Sequence, residues 1–232
     1  QPMVKSPQEL SKIYIEEKDL KSNIILLDEK EKTKNLFIEK YIEFGELKEY
    51  NRRSGPSNRS PWWKLPKQAR EGGEILFPRN YNNRLLAFYN PKKYISNRFY
   101  RFKTTKHDKL IFILNSTLNI LMMEIYGKTN LGEGALELGK PEIRLLPILK
   151  PNMDFTNNNI LKRDSVTIFE ECGFNNKKPF REQDPKPLPD RAELDNVIFD
   201  KLGLSEEERK EVYWSVCELV KQRLDKAKSL SG

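Results

Sequence analysis

The residues of this 232-residue chain that could do chemistry are cations, amides and indoles rather than nucleophiles or metal ligands. Arg52 to Arg70 read RRSGPSNRSPWWKLPKQAR, which puts Trp62 and Trp63, two of the three tryptophans, inside a basic, proline-punctuated stretch without an apolar period. Arginine and lysine neutralise backbone phosphates, while arginine and asparagine also read base edges through paired hydrogen bonds. Two jobs are open to the tryptophans. They can stack on an exposed or distorted base. Alternatively, beside Pro61 and Leu65, they can plug a long loop onto a domain body and leave the contacting to the loop's arginines.

The net charge of +8 is unevenly placed. Residues 1–50 carry 9 Lys and Arg against 11 Asp and Glu, residues 51–110 carry 15 against 3, residues 111–150 carry 4 against 4, and residues 151–232 carry 14 against 16. All of the excess lies between 51 and 110, where the balance is +12. A block of that kind focuses potential and attracts a polyanion; the plain alternative is a solvated basic face with no partner.

Signs of bond-making chemistry are missing. His107 is the only imidazole, so neither a catalytic triad nor a histidine-based metal cluster can be assembled in one subunit. No phosphate-cradling glycine loop is present: LGEGALELG, Leu131 to Gly139, lacks the length and the preceding strand, and its glutamates would repel phosphate. Cys172 and Cys217 support neither a disulfide scaffold nor a zinc site. The carboxylate pairs Glu16/Glu17 and Glu170/Glu171 read as solvated surface. The expectation is a binding module without catalytic, cofactor-binding or metal residues of its own.

The elements that must position the cations are short. LSKIYIE and NIILLD could supply strands, and Leu36, Phe37, Tyr41, Phe44 and Leu47 predict an amphipathic helix over Lys32 to Tyr50, interrupted at Gly45, whose apolar side needs a cover. Within the basic block, Ile75–Pro78, Leu85–Phe88 and Arg98–Phe102 read as short strands joined by loops that carry Arg79, Arg84, Lys92, Lys93, Asn97 and Arg98. HDKLIFILNSTLNILMMEIYGKTN predicts one oily helix capped by Asp108 and ended at Gly127, with the Asn115–Ser116–Thr117 notch bonding helix to loop. ALEL alternates as a strand, RLLPIL closes the unit, and VTIFEECGF is the ordered part of an Asn- and Pro-rich connection. Two helices follow, capped by Asp190 with Glu193 and by Ser205 with Glu208 around a Gly203–Leu204–Ser205 turn. That spacing also fits a helix-turn-helix, but EEERKE at the start of the second helix would set negative charge against phosphates, so packing or docking is the better reading.

The run Leu110 to Met123 is shorter than the roughly 20 residues of a membrane span. No secretory signal is visible, Gln1–Pro2 looks like a fragment boundary, and a cytoplasmic location is the default expectation.

RSGPSNRSPWWKL, ILFPRNY, NRFYRFK, LNSTLNILMMEIYGKTNLGEGALEL and EIRLLPIL together resemble the C-terminal target recognition domain of TaqI-like adenine-N6 DNA methyltransferases, including bifunctional type II restriction-modification enzymes. The resemblance covers roughly Leu36 to Leu149 and is most specific over Ile113 to Leu138; LDNVIFDKLGLSEEER is similar to tails that follow such domains. Arg59, Trp62 and Trp63 fall on the family's Arg-x-x-Trp-Trp-like stretch, and Asn115, Ser116, Gly132, Gly134 and Leu136 on its helix and strand scaffold. In that family a separate doubly wound domain binds S-adenosylmethionine and carries an Asn-Pro-Pro-Tyr/Phe motif; YNPKKY, Tyr89 to Tyr94, lacks the second proline. The resemblance therefore implies a specificity module that chooses the duplex sequence while the catalytic domain, in the same parent chain or a partner subunit, flips an adenine.

The expected fold is α+β, a small mixed sheet with packed helices followed by a C-terminal helical hairpin. Residues 1–150 would form the DNA target recognition domain, 151–189 a connecting segment and 190–232 the hairpin. Charge selects the expected DNA contacts Arg52, Arg53, Arg59, Lys64, Arg79, Lys92, Lys93, Arg98, Lys128 and Asn130, with Trp62 and Trp63 from the indole argument. An RNA or single-strand binding module and a protein-docking scaffold are the competing readings.

Overall fold

The computed structural model describes every residue except 29–34, 97, 130–133, 151–154, 156 and 232. In chain order its strands and helices are β1 Pro2–Val4, β2 Ser22–Asn23, α1 Leu36–Leu47, β3 Ile75–Pro78, β4 Asn80–Tyr81, β5 Phe88–Tyr89, β6 Ile95–Ser96, β7 Phe99–Phe102, α2 His107–Leu114, α3 Thr117–Tyr126, β8 Lys128–Thr129, β9 Leu136–Glu137, α4 Lys140–Leu145, α5 Asn159–Lys162, α6 Ile168–Glu171, α7 Pro189–Leu202 and α8 Glu206–Ser231. Three small sheets, in orders β2-β1-β6, β5-β3-β7 and β4-β9-β8, pack against these helices in an α+β fold. Among the strand pairs of the described residues only β1 and β6 run parallel. One apolar core runs from Val4 through β3 and α2–α3 to Val220 in α8.

β3 matches the expected strand, being buried on both faces between β5 and β7. The expected Leu85–Phe88 strand is corrected to Phe88–Tyr89 because the Ala87 N–H and C=O bond the side chain of Asn115 instead of a neighbouring strand. β7 starts one residue later than expected. The first strand is Pro2–Val4; LSKIYIE contributes only a bridge from Tyr14 to Tyr89, and NIILLD only Asn23 of β2. VTIFEECGF forms the one-turn helix α6, capped by Thr167, and RLLPIL begins inside α4.

The single oily helix is two. α2 and α3 meet at 66° across Asn115–Ser116, and no single helix among the described residues is long and apolar enough to cross a membrane. Asp108 lies in the first turn of α2 without capping it. Asn115 closes the break by donating to Ala87 O at 3.0 Å and Ile111 O at 2.8 Å, and Ser116 caps α3. The polar notch thus bonds helix to loop, as its composition suggests.

The C-terminal helices supply the partners that the break leaves unmet. Arg191 of α7, wholly buried, donates to Asn115 O and to Glu171 Oε2 at 3.0 Å. Asp195, also wholly buried, accepts from Thr117 N at 2.8 Å, Thr117 Oγ1 at 2.6 Å and Tyr213 Oη at 3.0 Å. Arg163 holds Glu171 through two bonds, at 2.8 and 2.7 Å, and Asp190 at 2.6 Å. Two expectations are corrected here. Glu171 is a buried ion-pair centre rather than solvated surface, and the N-cap position of α7 falls on Leu188 without a side-chain cap, with Asp190 directed to Arg163 instead. Ser205 and Glu208 do form the expected capping box, and Gly203 turns the hairpin at φ +67°.

Burial opposes ionisation of Glu171, but the guanidinium groups of Arg191 and Arg163 outweigh it and hold the carboxyl below the usual glutamate range. Burial of Asp195 prevails over the attraction of Arg191 and the hydrogen bonds from Thr117 and Tyr213, and raises its carboxyl. Because the folded-state value of Glu171 is depressed, its contribution is present at neutral pH and lost as the pH falls below about 4. Glu171→Gln is expected to destabilise the chain by about 3 kcal/mol at pH 7, since it leaves buried guanidinium charge uncompensated. Chemical denaturation from pH 7 down to pH 3 should show the gap to the wild type closing; a gap that does not change with pH would exclude an ionised Glu171.

Candidate nucleic-acid interface

Where β3 turns into β4, the sequence PRNYNNR leaves the sheet and returns, and its polar side chains open onto one cleft. The cleft, about 580 Å³, is lined by Arg79, Asn80, Asn82, Asn83, Arg84 and Arg98, together with Ser6 and Ala135, and has no carboxylate among its lining residues. Register explains the convergence: Pro78 pairs with Phe99, which brings Arg79 and Arg98 to the same end of the β3–β7 ladder. Arg79 lies over the Tyr100 ring at 5.1 Å, and both arginines are exposed without an ion pair among the described residues. Lys128 joins the same region, because Asn80, Glu137 and Lys128 sit in line across β4-β9-β8. It is paired with Glu142 at 2.7 Å, and that hydrogen bond holds the Lys128 ammonium above its usual range and the Glu142 carboxyl below.

Other cations of the basic block build the protein instead. Arg84 donates to Ser165 Oγ at 2.9 Å and Leu10 O at 3.1 Å, Arg101 to Gln68 O at 2.8 Å and Glu71 O at 2.5 Å, and Arg70 to Leu65 O, Leu27 O and Asp28. The +12 of the sequence therefore overstates the charge available to a ligand.

Lys92 and Lys93 lie at the other end of β3, roughly 15 Å from Arg79 at the usual rise per strand residue. They sit on a turn closed by the buried Asn90, whose amide bonds Gly73 O, Tyr94 O and Tyr94 N, each at 3.0 Å. The asparagine of YNPKKY is thus committed to its own turn. Lys93 pairs with Glu74 at 2.7 Å, which lowers the Glu74 carboxyl, while Lys92 is exposed with no ion pair among the described residues.

A third group lies on the loop after α1. Trp62 seats its six-membered ring over Gly45 and donates from Nε1 to Glu46 Oε1 at 3.0 Å. The helix is therefore not interrupted at Gly45; it runs through, and the glycine makes room for the indole. Trp63 and Lys64 are half-buried beside it. Arg53 covers the Tyr50 ring at 4.3 Å, Arg52 pairs with Glu49, and the Nε of half-buried Arg59 has no acceptor among the described residues. The cover expected for α1 is incomplete: Leu36, Phe37, Tyr41, Phe44 and Leu47 remain exposed. Asn97, Asn130 and Gly132 lie outside the described residues.

The asparagines of the cleft were the residues missed by an argument from charge. Their signal was present in the density of Asn and Arg in RNYNNR between two strands. His107 is tied to Tyr89 Oη at 3.3 Å, and no group of His, Cys, Asp and Glu among the described residues could hold a metal ion.

Gly45→Ala tests the anchoring role of Trp62. Alanine would favour the helix by about 1 kcal/mol, but its Cβ would stand 2.5 Å from Trp62 Cη2, so the indole must shift from its seat. Trypsin should then cut at Arg52, Arg53 and Arg59 several-fold faster, with a red shift in tryptophan emission. Unchanged cleavage would mean that other contacts hold the loop.

In comparison with known families, the model described as "Type II methyltransferase M.Eco57I, C-terminal domain" matches residues 1–172, a span that contains the cleft and all three cationic groups. Searches of the curated proteins and of the solved structures found no match.

Proposed function

This chain belongs to the family of the Type II methyltransferase M.Eco57I C-terminal domain, and from that premise we propose that it reads duplex DNA for an adenine-N6 methyltransferase or restriction-modification enzyme through the Arg79–Arg98 cleft. It is a target-recognition-like domain without the catalytic core. The observation that carries the assignment is the composition of the cleft: guanidinium and amide groups, the two kinds of side chain that pair with base edges, meet there with no carboxylate among the lining residues.

The placement of the cations supports a division of labour. Arg98, and Arg79 on leaving the Tyr100 ring, would turn toward base edges, with Asn80, Asn82 and Asn83 offering both donors and acceptors beside them. Lys92 and Lys93, on a turn at the far end of β3, would track the backbone and carry no sequence information. Arg52, Arg53, Arg59, Lys64 and Trp63 would extend the phosphate contacts from the loop that Trp62 fixes, and Lys128 would extend the cleft rim. A catalytic domain would hold S-adenosylmethionine and flip the adenine. The cleft does not suit that cofactor: its arginines oppose a sulfonium charge, and it offers no carboxylate to ribose hydroxyls. We assign the exposed apolar side of α1 to contact with the catalytic domain, because the family is named as the C-terminal part of a larger enzyme.

Binding to a randomised duplex library at two salt concentrations, with the catalytic domain supplied, tests this reading. Lys92→Gln with Lys93→Gln should weaken all sequences alike and reduce the salt slope by about 2. Arg98→Ala should instead relax the preference at one position, by about 1–3 kcal/mol. Salt-independent binding, or a wild type without sequence preference, would reject the assignment.

A further inference from the structure

We propose that α8, through Arg223, sets the spacing between the two lips of the Arg79–Arg98 cleft and so restricts which duplex sequences it accepts; this rests on the reading of the cleft as the DNA-contacting surface. Arg223 is a positioning residue in this scheme, for it faces away from solvent with 3% of its side chain exposed.

Its guanidinium makes four directed bonds. Two go to the equally buried Glu124 of α3, from Nε to Oε2 at 3.0 Å and from one terminal nitrogen to Oε1 at 2.7 Å. That same nitrogen also donates to Asn82 O at 2.8 Å, and the other terminal nitrogen donates to Gly134 O. Asn82 follows β4 and Gly134 precedes β9, and both carbonyls lie just past the last registered pair, Tyr81 with Leu136. At that point the registered pairs of the ladder end, and the next residues on the two chains, Asn82 and Ala135, both line the cleft. Arg223 therefore holds the ladder where its registered pairs end, and Glu124 fixes the guanidinium relative to the core.

A second contact from α8 acts on the same lip. Gly134 has φ +63°, and a Cβ there would stand 2.7 Å from the Ala227 Cβ, so the lip backbone rests directly on the helix one turn beyond Arg223. Lysine cannot replace the fork, because a single ammonium cannot face a carboxylate edge and two separated carbonyls at once. α8 also lies outside the matched residues 1–172, which makes the clamp an element added to the matched region.

The test uses the whole chain with two variants that act on the clamp from opposite sides, Arg223→Lys and Gly134→Ala, and one that weakens α8 elsewhere, Val220→Ala, a wholly buried core position. Hydrogen exchange in the free protein is followed over residues 80–84 and 134–138, alongside thermal melting and selection from a randomised duplex library. All three variants should melt earlier. Arg223→Lys and Gly134→Ala should raise exchange at both lips about tenfold and broaden the selected sequences, whereas Val220→Ala should leave lip exchange and selection unchanged. Lip exchange in the clamp variants no faster than in Val220→Ala would overturn the clamp. Faster lip exchange together with no sequence selection by the wild type would overturn the proposal through the DNA reading beneath it, which separates the two failures.

Discussion

The rest of the structure depends on how the bend between α2 and α3 is satisfied. Both helices are oily on most sides and lie in the core, so the backbone groups released at Asn115–Ser116 have no access to water. A buried carbonyl or amide without a partner costs about 1–3 kcal/mol. Asn115 O is taken by Arg191, and Thr117 N by Asp195. Each of these brings a charge into the core, and each charge then needs a counterpart: Glu171 and through it Arg163 and Asp190 for the arginine, Thr117 and Tyr213 for the aspartate. One bend thus ties the basic first half of the chain to the acidic last third.

That dependence reaches the candidate interface because its own elements are small. β4, β5, β8 and β9 have two residues each, too few to hold loops in place through ladder bonds alone. The stiffness is supplied from outside: Arg84 fastens the cleft to Leu10 and Ser165, Arg101 fastens β7 to the 68–71 segment, and Arg223 closes the β4–β9 end. Arginine suits this task because its planar fork can satisfy several carbonyls while staying charged. The same residue type therefore appears in two roles, and only the direction of the guanidinium distinguishes a structural arginine from one facing a ligand.

Several features could be read from the chain alone. β3, the helical nature of residues 36–47, the capping box at Ser205 and Glu208, and the polar notch at Asn115–Ser116–Thr117 all follow from local patterns, because period, capping chemistry and the placement of Asn and Ser are properties of neighbouring residues. The concentration of charge between 51 and 110 and the family resemblance were equally local, and they sufficed to point to a nucleic-acid module.

Tertiary structure decided the assignments that depend on a distant partner. Leu85–Phe88 reads as a strand until Asn115, 28 residues on, takes the hydrogen bonds of Ala87. Glu171 reads as surface until Arg191 and Arg163 close over it, and Asp190 as a cap until Arg163 claims its carboxylate. Arg84 and Arg98 are alike in sequence context, yet one reaches Ser165 across 81 residues and the other remains exposed at the cleft. The sequence determined which residues are charged, amidic or apolar and how each prefers to fold with its neighbours. Which charges would be buried in pairs and which would be left facing outward depended on contacts across 8 to 99 residues, for a buried charge is stable only beside its partner and local sequence holds no record of where that partner will lie.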